Sequence, residues 1–408
     1  MSGAPYIINI GLGRWQTPLV LAARDAGCRV IGVDINPHAP GVAASDVFLN
    51  LSAHEAQPIW DALDAHGLAK SEIKAVITIG SRGCLTCAAE LADRLGVAGP
   101  VVDAAGIDQL VDRERFRRLL EANELPVPRY ALVTGPDEPV AIDFPLIVKC
   151  ATDTSGSEGL SVVERTEDLA NAIRHAQNAI SHQAVQRVVV EQYVEGRDVG
   201  VFGLFDQGEL VFRANVLRQV DAHPHCLPKL YQAPASLTHD EEALLTRDFS
   251  KIALAVGVKT GPFYAEFRLS PSGSKCFALE AEPTLPAYAA QLIAAAFAVD
   301  LNQLFVARVV DNRSDSSIGG AVQLAACGFV YGDRPGWIRE IESTEELPDG
   351  CEVHFLLKAG DYVDNTSAAS ICAAVFATGD SIEATVDVVR SVAAGVAVDI
   401  VETNAALT

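Results

Sequence analysis

Residues 265–283, with the sequence AEFRLSPSGSKCFALEAEP, decide the fold of this chain. Their two apolar segments flank Pro-Ser-Gly at 271–273, which is typical of a hairpin turn. Glu280 and Glu282 point to the same side of the second strand, and Glu266 lies on the first. Three carboxylates on one face repel each other and are costly to desolvate. The pattern predicts a site for a cation that takes oxygen ligands, such as Mg²⁺. A solvent-facing charged hairpin is the alternative.

Residues 1–100 alternate short apolar strands with amphipathic helices, beginning with YIINIGLG and TPLVLAARDAG. Repeated β-α-β units predict a parallel sheet covered by helices, so the expected fold class is α/β. Gly11, Gly13 and Asp34 together follow part of a dinucleotide-binding fingerprint. Gln16 stands where the third glycine of that fingerprint is expected. An NAD-dependent oxidoreductase is therefore the weaker of the enzymatic alternatives.

A lysine and a glycine-rich segment follow the next buried strand. Lys149 lies near the end of the apolar segment FPLIVKC, and ATDTSGSEGL follows directly. The backbone N–H groups of such a loop can surround phosphate oxygens, and the lysine can hold a phosphate as a point charge. The expected phosphate-binding residues are Lys149, Ser155, Gly156, Ser157 and Gly159. A surface lysine before an ordinary turn is the alternative.

The segment VVVEQYVEGRD, residues 188–198, changes from a strand to a short connector. An adenine ring needs one hydrogen-bond donor and one acceptor from an extended backbone, with apolar groups on both faces. The backbone from Gln192 to Val194 is suited to those bonds, and Asp198 is suited to ribose hydroxyls. A charged hairpin without a ligand is the alternative.

The length, charge and cysteine content of the chain limit the number of domains, the kinds of partner and the expected location. The chain has 408 residues, which suits two to three domains, and a net charge of −22. That charge argues against nucleic acids and anionic membranes as partners. No apolar segment is long enough to span a bilayer, and the first residues lack the basic region of a signal peptide. The nine scattered cysteines are expected to be reduced, so the expected location is the cytoplasm.

The order of these features resembles the ATP-grasp superfamily. An arginine-rich helix (DRERFRRLLEANELPVP), a strand lysine, a glycine-rich loop, a hinge and a carboxylate hairpin follow one another within about residues 5–312. The superfamily includes D-alanine–D-alanine ligase, biotin carboxylase and the L-amino acid ligases that form dipeptides. The C-terminal segments GGAVQLAACGFVYG and ATGDSIEATVDVV are similar to the L-amino acid ligase branch.

The resemblance implies an ATP-grasp fold in four parts. These are a Rossmann-like α/β domain (1–110), a lid subdomain (111–195), a large subdomain with the metal site (196–314) and a small C-terminal α+β domain (315–408). The two middle parts are α+β subdomains that grip ATP. Dimers are common in the superfamily, so a homodimer is one expectation for the assembly.

The resemblance also implies roles for individual residues. The implied ATP-binding residues are Arg113, Lys149, Ser155, Gly156, Ser157, Gly159, Glu191, Gln192, Tyr193, Val194 and Asp198. Arg113 and Lys149 match phosphate contacts, residues 155–159 match the mobile lid, and Asp198 matches the ribose acid. The implied ligands of Mg²⁺, with Mn²⁺ as an alternative ion, are Glu266, Glu280 and Glu282.

One position departs from the family pattern. Thr284 stands where the family usually carries an arginine that binds the substrate carboxylate or the transferring phosphoryl group. Arg268 shares a strand face with Glu266, so it is the expected replacement and, with Lys149, the expected catalytic residue. Arg218 and Lys229 are the alternatives. His223 and His225 are expected to be ordinary loop residues, with contact to the amine substrate as the alternative.

The implied function is ATP-dependent formation of an amide or peptide bond between a carboxylate, expected to belong to an amino acid, and an amine. The carboxylate attacks the γ-phosphate to give an acyl phosphate and ADP, and the amine then displaces phosphate. The alternatives are an ATP-grasp carboxylase, a purine-pathway ligase, or an ATP-binding protein without ligase activity. Both substrates are small molecules that the sequence does not identify.

Overall fold

The computed structural model describes residues 4–152, 157–181, 183, 185–221, 225–311, 320–343 and 346–402. Within these residues one sheet is parallel and three are antiparallel, with helices packed against them. The predicted α/β class is confirmed.

The N-terminal part is a parallel sheet with helices on both faces. Its elements are β1 (Tyr6–Ile10), α1 (Thr17–Asp25), β2 (Arg29–Val33), β3 (Val47–Leu49), α2 (Ala56–Ala65), β4 (Ile73–Ile77), α3 (Arg82–Leu95), α4 (Ala104–Val111) and α5 (Arg113–Ala122). The strand order is β3-β2-β1-β4. Ile7 and Ile8 point to opposite faces and are both fully buried, which explains why the strands are apolar throughout.

Asp34 closes the turn after β1 instead of presenting a free carboxylate. Its Oδ2 accepts a hydrogen bond from the Leu12 N–H at 2.8 Å, and its Oδ1 accepts one from the Asn36 N–H at 2.8 Å. The residue of the partial dinucleotide fingerprint thus has a backbone partner on each oxygen.

A smaller antiparallel sheet follows. Its elements are β5 (Tyr130–Val133), β6 (Leu146–Cys150), β7 (Ser161–Val163), α6 (Thr166–Ala179) and β8 (Val188–Gln192), and the strand order is β5-β8-β6-β7. The register places Lys149 opposite Val189 and Ile147 opposite Glu191. Lys149 and Glu191 are therefore diagonal neighbours on one face of the sheet.

The remaining strands form a large sheet and a small one. The elements are β9 (Arg197–Asp206), β10 (Glu209–Val220), β11 (Pro228–Ala233), α7 (His239–Ala255), β12 (Gly261–Leu269), β13 (Cys276–Glu282), α8 (Ala287–Phe297), α9 (Leu301–Asp311), β14 (Leu324–Val330), β15 (Gly336–Ser343), β16 (Cys351–Phe355), β17 (Tyr362–Val363), β18 (Ala373–Gly379), α10 (Ile382–Ala394) and β19 (Val396–Val401). The large sheet has eight strands in the order β13-β12-β9-β10-β11-β14-β18-β16, and the small sheet is β17-β15-β19.

The large sheet crosses the domain boundary expected at residue 314. Strands β14, β18 and β16 come from the C-terminal segment, and β14 pairs with β11 through Leu230 opposite Gly328. The C-terminal segment thus extends the large sheet and forms only the small sheet by itself. The four-part division of the chain stays a prediction.

Helices α8 and α9 join the large sheet to the N-terminal part. Leu292 of α8 and Phe305 of α9 are almost completely buried in one core that also contains Leu19 of α1 and Phe202 of β9. No single helix in the described ranges is long and apolar enough to cross a membrane. The segments 288–297 and 301–310, bent by 94°, meet the length and composition criterion only as a pair.

Candidate active site

A cavity of about 230 Å³ lies between the smaller antiparallel sheet and the large sheet. The predicted residues on its lining are Arg113, Lys149, Ser157, Glu191, Gln192, Tyr193, Val194, Asp198, Glu266, Arg268, Glu280 and Glu282. Residues separated by more than 160 positions in the chain therefore surround one space. Ser155, Gly156 and His223 lie outside the described residues.

Gly159, at the end of the glycine-rich loop, is required by its backbone and by its neighbours. Its φ of +72° is in the left-handed region, and a Cβ there would lie 2.7 Å from the Sγ of Cys150. The Oγ of Ser157, two residues earlier, donates a hydrogen bond to the Cys226 carbonyl at 3.5 Å. The loop after β6 thus contacts the segment that follows β10.

A buried charge cluster forms one end of the cavity. The Nζ of Lys149 lies 2.8 Å from the Oε2 of Glu191. The sequence reasoning missed the third member, Arg117, which donates to the two carboxylate oxygens of Glu191 at 2.7 and 3.1 Å. Arg117 is completely buried although it is one of four arginines on a polar helix. The available signal is its position beside the apolar residues Phe116 and Leu120 on α5.

Arg117 also contacts the strand that carries the predicted metal ligands. Its Nη1 donates to the Ala278 carbonyl at 3.0 Å and its Nη2 to the Leu279 carbonyl at 3.1 Å. The pairing of β12 with β13 shifts here, because Glu266 faces Glu280 whereas the next residue faces Ala278. Arg117 therefore connects the hinge residue Glu191 to the irregularity beside Glu280.

Burial and charge shift both pKa values in this cluster. Burial lowers the pKa of Lys149 to about 8, and the positive charges of Arg117 and Arg113 add to the decrease, whereas Glu191 opposes it. Burial disfavours the charged form of Glu191, but the cations Arg117 and Lys149 outweigh this effect and lower its pKa to about 2. The carboxylate is therefore ionised at neutral pH.

Arg113 supports the start of the glycine-rich loop. Its Nη1 donates to the carbonyls of Cys150 and Thr152 at 2.8 and 2.9 Å. Its backbone N–H donates to the Ala151 carbonyl at 2.8 Å. The side chain lines the cavity, and its role as a phosphate contact stays a prediction.

The hinge after β8 has one backbone donor suited to a ligand. The N–H of Gln192 donates to the Arg129 carbonyl at 2.8 Å, and the N–H of Tyr193 donates to the Pro145 carbonyl at 3.0 Å. Within the described part of the chain, the N–H of Val194 has no such partner. Val194 is therefore the hinge residue whose backbone N–H is left for a ligand.

The structure corrects the expected role of Arg268. The register of β9 and β12 places Arg268 directly opposite Asp198. Its Nε and Nη2 donate to the two Asp198 oxygens at 2.5 and 2.8 Å, and its Nη1 donates to the Val194 carbonyl at 3.0 Å. Its guanidinium therefore stabilises the hinge instead of supplying the cation beside Glu266. The predicted ribose acid Asp198 is likewise engaged on both oxygens.

Arg218 occupies the position expected for Arg268. Its Nη1 forms an ion pair with the Oε2 of Glu266, and Tyr264 donates its hydroxyl to the Oε1 of Glu266 at 2.6 Å. Burial raises the pKa of Glu266 to about 7, the facing Glu280 acts in the same direction, and the charge of Arg218 limits the rise. Of the three cations considered from the sequence, Arg218 is the one that contacts the carboxylates.

The donor set fits a magnesium ion shared with a ligand. Within the described residues, no three acidic, histidine or cysteine side chains converge on a common metal position. The expected three-carboxylate cluster is therefore not preassembled, and Arg218 holds Glu266 in an ion pair. Glu266 and Glu280 face each other, and Mg²⁺ is commonly held by one or two carboxylates together with phosphate oxygens.

A comparison with known families gives the decisive observation. Residues 142–290, from before β6 into α8, match the family model described as the ATP-grasp domain. Residues 142–290 form an ATP-grasp domain. The match includes Lys149, the hinge and the carboxylate hairpin, so the predicted superfamily is confirmed.

Solved structures with this fold extend over almost the whole chain. An L-amino acid ligase from Bacillus licheniformis has a TM-score of 0.81 and 15% identity, over 98% of this chain and 100% of that chain. An N5-carboxyaminoimidazole ribonucleotide synthetase from Thermotoga maritima has a TM-score of 0.74 and 16% identity, over 97% and 100%. The biotin carboxylase domain of the 2-oxoglutarate carboxylase from Hydrogenobacter thermophilus, solved with MgADP and bicarbonate, has a TM-score of 0.74 and 15% identity, over 98% and 92%. Identities this low show a shared fold.

The structure also gives the surroundings of three further residues that the sequence analysis named, and none of them is on the cavity lining. Lys229 lies 3.3 Å from Asp221 and does not line the cavity. The Oγ1 of Thr284 is buried and has no hydrogen-bond partner among the described residues. The Nδ1 of His225 lies 3.0 Å from the Leu160 carbonyl, also off the cavity lining. The interpretation of His225 as a loop residue is favoured over contact with an amine substrate.

Proposed function

We propose that this protein is an ATP-dependent carboxylate–amine ligase that joins the carboxylate of an amino acid to an amine, in the cytoplasm, with release of ADP and phosphate. The observation that supports it most is the convergence of Lys149, Arg218 and the facing pair Glu266 and Glu280 on one cavity of an ATP-grasp domain. The similarity to a structure described as an L-amino acid ligase favours this branch.

The hinge side of the cavity holds the nucleoside. The Val194 N–H donates to the adenine ring, and the apolar side chains of Ile147 and Leu279 line the same space. Asp198, oriented by Arg268, accepts hydrogen bonds from the ribose hydroxyls. Lys149, paired with Glu191, lines the same cavity and supplies a positive charge for the phosphates.

The reaction requires two anions to approach each other. Glu266 and Glu280 would hold Mg²⁺ together with phosphate oxygens, and the ion would supply positive charge at the γ-phosphate. Arg218 binds the attacking carboxylate and so takes the role of the arginine that Thr284 replaces. An acyl phosphate is hydrolysed by water, so the reaction requires a site from which water is excluded.

The proposed function is tested by measuring ADP release with Mg²⁺ and ATP against amino acids singly and in pairs, other amines, and bicarbonate. We expect release that requires both a carboxylate and an amine. Arg218→Ala is expected to lower kcat/KM by about 100-fold, because it removes a charge that stabilises the transition state. Lys229→Ala removes a cation outside the cavity and is the matched control.

Three outcomes would contradict the proposal. Unchanged kcat/KM in Arg218→Ala would remove Arg218 from the reaction. ATP binding without amine-dependent ADP release would indicate an ATP-binding protein that has lost ligation. Release that depends on bicarbonate alone would identify a carboxylase.

The affinity for ADP is expected to fall as the pH rises above about 8. The pKa of Lys149 in the free protein is about 8, and phosphate oxygens beside it raise that pKa, so binding takes up a proton. The affinity for ADP is therefore highest and constant well below pH 8, where Lys149 is protonated. Above pH 8 it decreases by up to about tenfold per pH unit. Calorimetric titration with ADP between pH 7 and 9.5 at constant salt measures the change.

Lys149→Met is the control for this dependence, since it removes the titrating group. The variant is expected to bind ADP weakly, with a Kd that is constant over the same pH range. A wild-type Kd that stays constant from pH 7 to 9.5 would disprove the assignment.

A further inference from the structure

Four aromatic side chains form a continuous surface that we call the aromatic wall: Trp15, Tyr288, Phe329 and Tyr231. Their ring centroids are 4.9 Å apart for Trp15 and Tyr288, 5.0 Å for Tyr288 and Phe329, and 5.0 Å for Phe329 and Tyr231. The interplanar angles are 70°, 72° and 80°, so each ring meets the next edge to face. The four residues come from the turn after β1, from α8, from β14 and from β11.

The aromatic wall leads directly to the proposed catalytic centre. The guanidinium carbon of Arg218 lies 5.2 Å from the centroid of the Tyr231 ring. Tyr231, Phe329 and Tyr288 line the same cavity as Arg218. Tyr288 and Trp15 also line a neighbouring cavity of about 680 Å³ that opens beside the N-terminal sheet. The wall is therefore shared by the site of phosphoryl transfer and the space next to it.

Arg218 retains hydrogen-bonding capacity toward a ligand. Its side chain is only 10% exposed, and its Nε is buried without a hydrogen-bond partner in the described residues. A buried donor without a partner is costly, and a ligand carboxylate would satisfy it with a charge-assisted bond. Glu266 engages the guanidinium through Nη1, so Nε is the donor that is left for a ligand carboxylate.

The apolar character of the aromatic wall favours some carboxylate substrates over others. Bicarbonate is too small to use an aromatic wall, and a phosphorylated sugar needs cations along its path instead of rings. A large apolar or aromatic side chain gains free energy by leaving water and by edge-to-face contact with the rings. The four rings therefore fit the side chain of an acid whose carboxylate is bound at Arg218.

We propose, on the basis of the ligase function above, that the acid activated by this protein is an amino acid with a large apolar or aromatic side chain, which lies against the aromatic wall while Arg218 binds the carboxylate. This names the class of the carboxylate substrate.

The test measures ADP release with L-phenylalanine or L-alanine as the acid and glycinamide as the amine. Glycinamide has no carboxylate, so it can act only as the amine. We expect wild-type kcat/KM to be at least about tenfold higher for phenylalanine than for alanine, the range given by burial of a large side chain. Phe329→Ala is expected to lose most of this preference.

Two further variants make the result specific. Trp15→Ala removes the partly buried ring at the end of the wall that is farthest from Arg218, and it is expected to reduce the phenylalanine preference by a smaller factor. Tyr362→Ala removes a ring at an exposed strand edge, outside both cavities, and is expected to leave the preference unchanged. With MgADP present, phenylalanine is expected to raise the Tm of the wild type but not that of Phe329→Ala.

The outcomes separate this inference from the proposed function. A preference for alanine, or an unchanged preference in both Phe329→Ala and Trp15→Ala, overturns the aromatic subsite while ADP release still supports a ligase. Absence of ADP release with every acid and amine overturns both.

Discussion

Glu280→Gln is expected to lower the rate of ADP release at saturating substrates by about 100- to 1000-fold. Glu280 faces Glu266 across the β12–β13 pair and lines the cavity beside Lys149 and Arg218. Its carboxylate is one of two that hold Mg²⁺ at the phosphates in the proposed mechanism. An amide has the same shape but no charge, so the metal is bound more weakly where charge develops in the transition state.

The measurement is ADP release as a function of Mg²⁺ concentration in wild type and variant. In Glu280→Gln the Mg²⁺ concentration for half-maximal activity is expected to rise, whereas binding of metal-free ADP to the hinge is expected to stay unchanged. Glu195→Gln is the matched control, because Glu195 is an exposed carboxylate in the hinge segment and does not line the cavity. Wild-type activity and Mg²⁺ dependence in Glu280→Gln would disprove the placement of the metal.

Arg117→Ala is expected to destabilise the protein by about 3–5 kcal/mol. The substitution removes both hydrogen bonds to Glu191 and both to the carbonyls of β13. Glu191 is 1% exposed, so its charge is left in a buried site with Lys149 as the remaining cation. Urea unfolding followed by tryptophan fluorescence and circular dichroism measures the loss.

Arg118→Ala is the matched control, since Arg118 is the next residue on α5 with a side chain that is 70% exposed and paired with Glu114. Its loss is expected to cost less than about 1 kcal/mol. The double variant Arg117→Ala/Glu191→Gln is expected to be more stable than Arg117→Ala alone, because it removes the uncompensated charge. Similar destabilisation by Arg117→Ala and Arg118→Ala would contradict the role of the buried cluster.

The Glu191 ion pairs also predict acid sensitivity. Because the folded-state pKa of Glu191 is lowered to about 2, its contribution to stability is present above the ordinary glutamate pKa and is lost as the pH falls toward 2. The same measurement in Glu191→Gln is expected to show a weaker dependence on pH in this window.

Local sequence patterns predicted the helices and strands of the N-terminal sheet and the pairing of the two hairpin strands. Alternating strands and helices predicted the parallel sheet, because each β-α-β unit buries both faces of a strand. The turn at 271–273 and the alternation of side chains predicted a hairpin with Glu266 on one strand and Glu280 and Glu282 on the other, and the structure has this hairpin. The turn sets the register next to it, where Leu269 faces Cys276 and Phe267 faces Ala278. The shift beyond Phe267, which brings Glu280 opposite Glu266, was not predictable from the turn.

Contacts between distant strands were not predictable in the same way. Arg268 and Glu266 share a face of β12, which suggested a common site. The large sheet, however, places β9 next to β12. Asp198 then lies opposite Arg268 and forms an ion pair with its guanidinium. Arg218 meets Glu266 only because β10 lies on the other side of β9.

By itself the sequence determined the α/β class and the carboxylate hairpin, since these depend on periodicity and turn residues, and the order of its motifs carried the resemblance to the ATP-grasp superfamily. Only the tertiary structure decided that Arg218 contacts the carboxylates, that Arg117 is the buried partner of Glu191, and that four rings from distant segments form the aromatic wall. The physical reason is that strand order brings together residues whose separation in the chain carries no signal, and that burial, not residue type, distinguishes Arg117 from the arginines beside it.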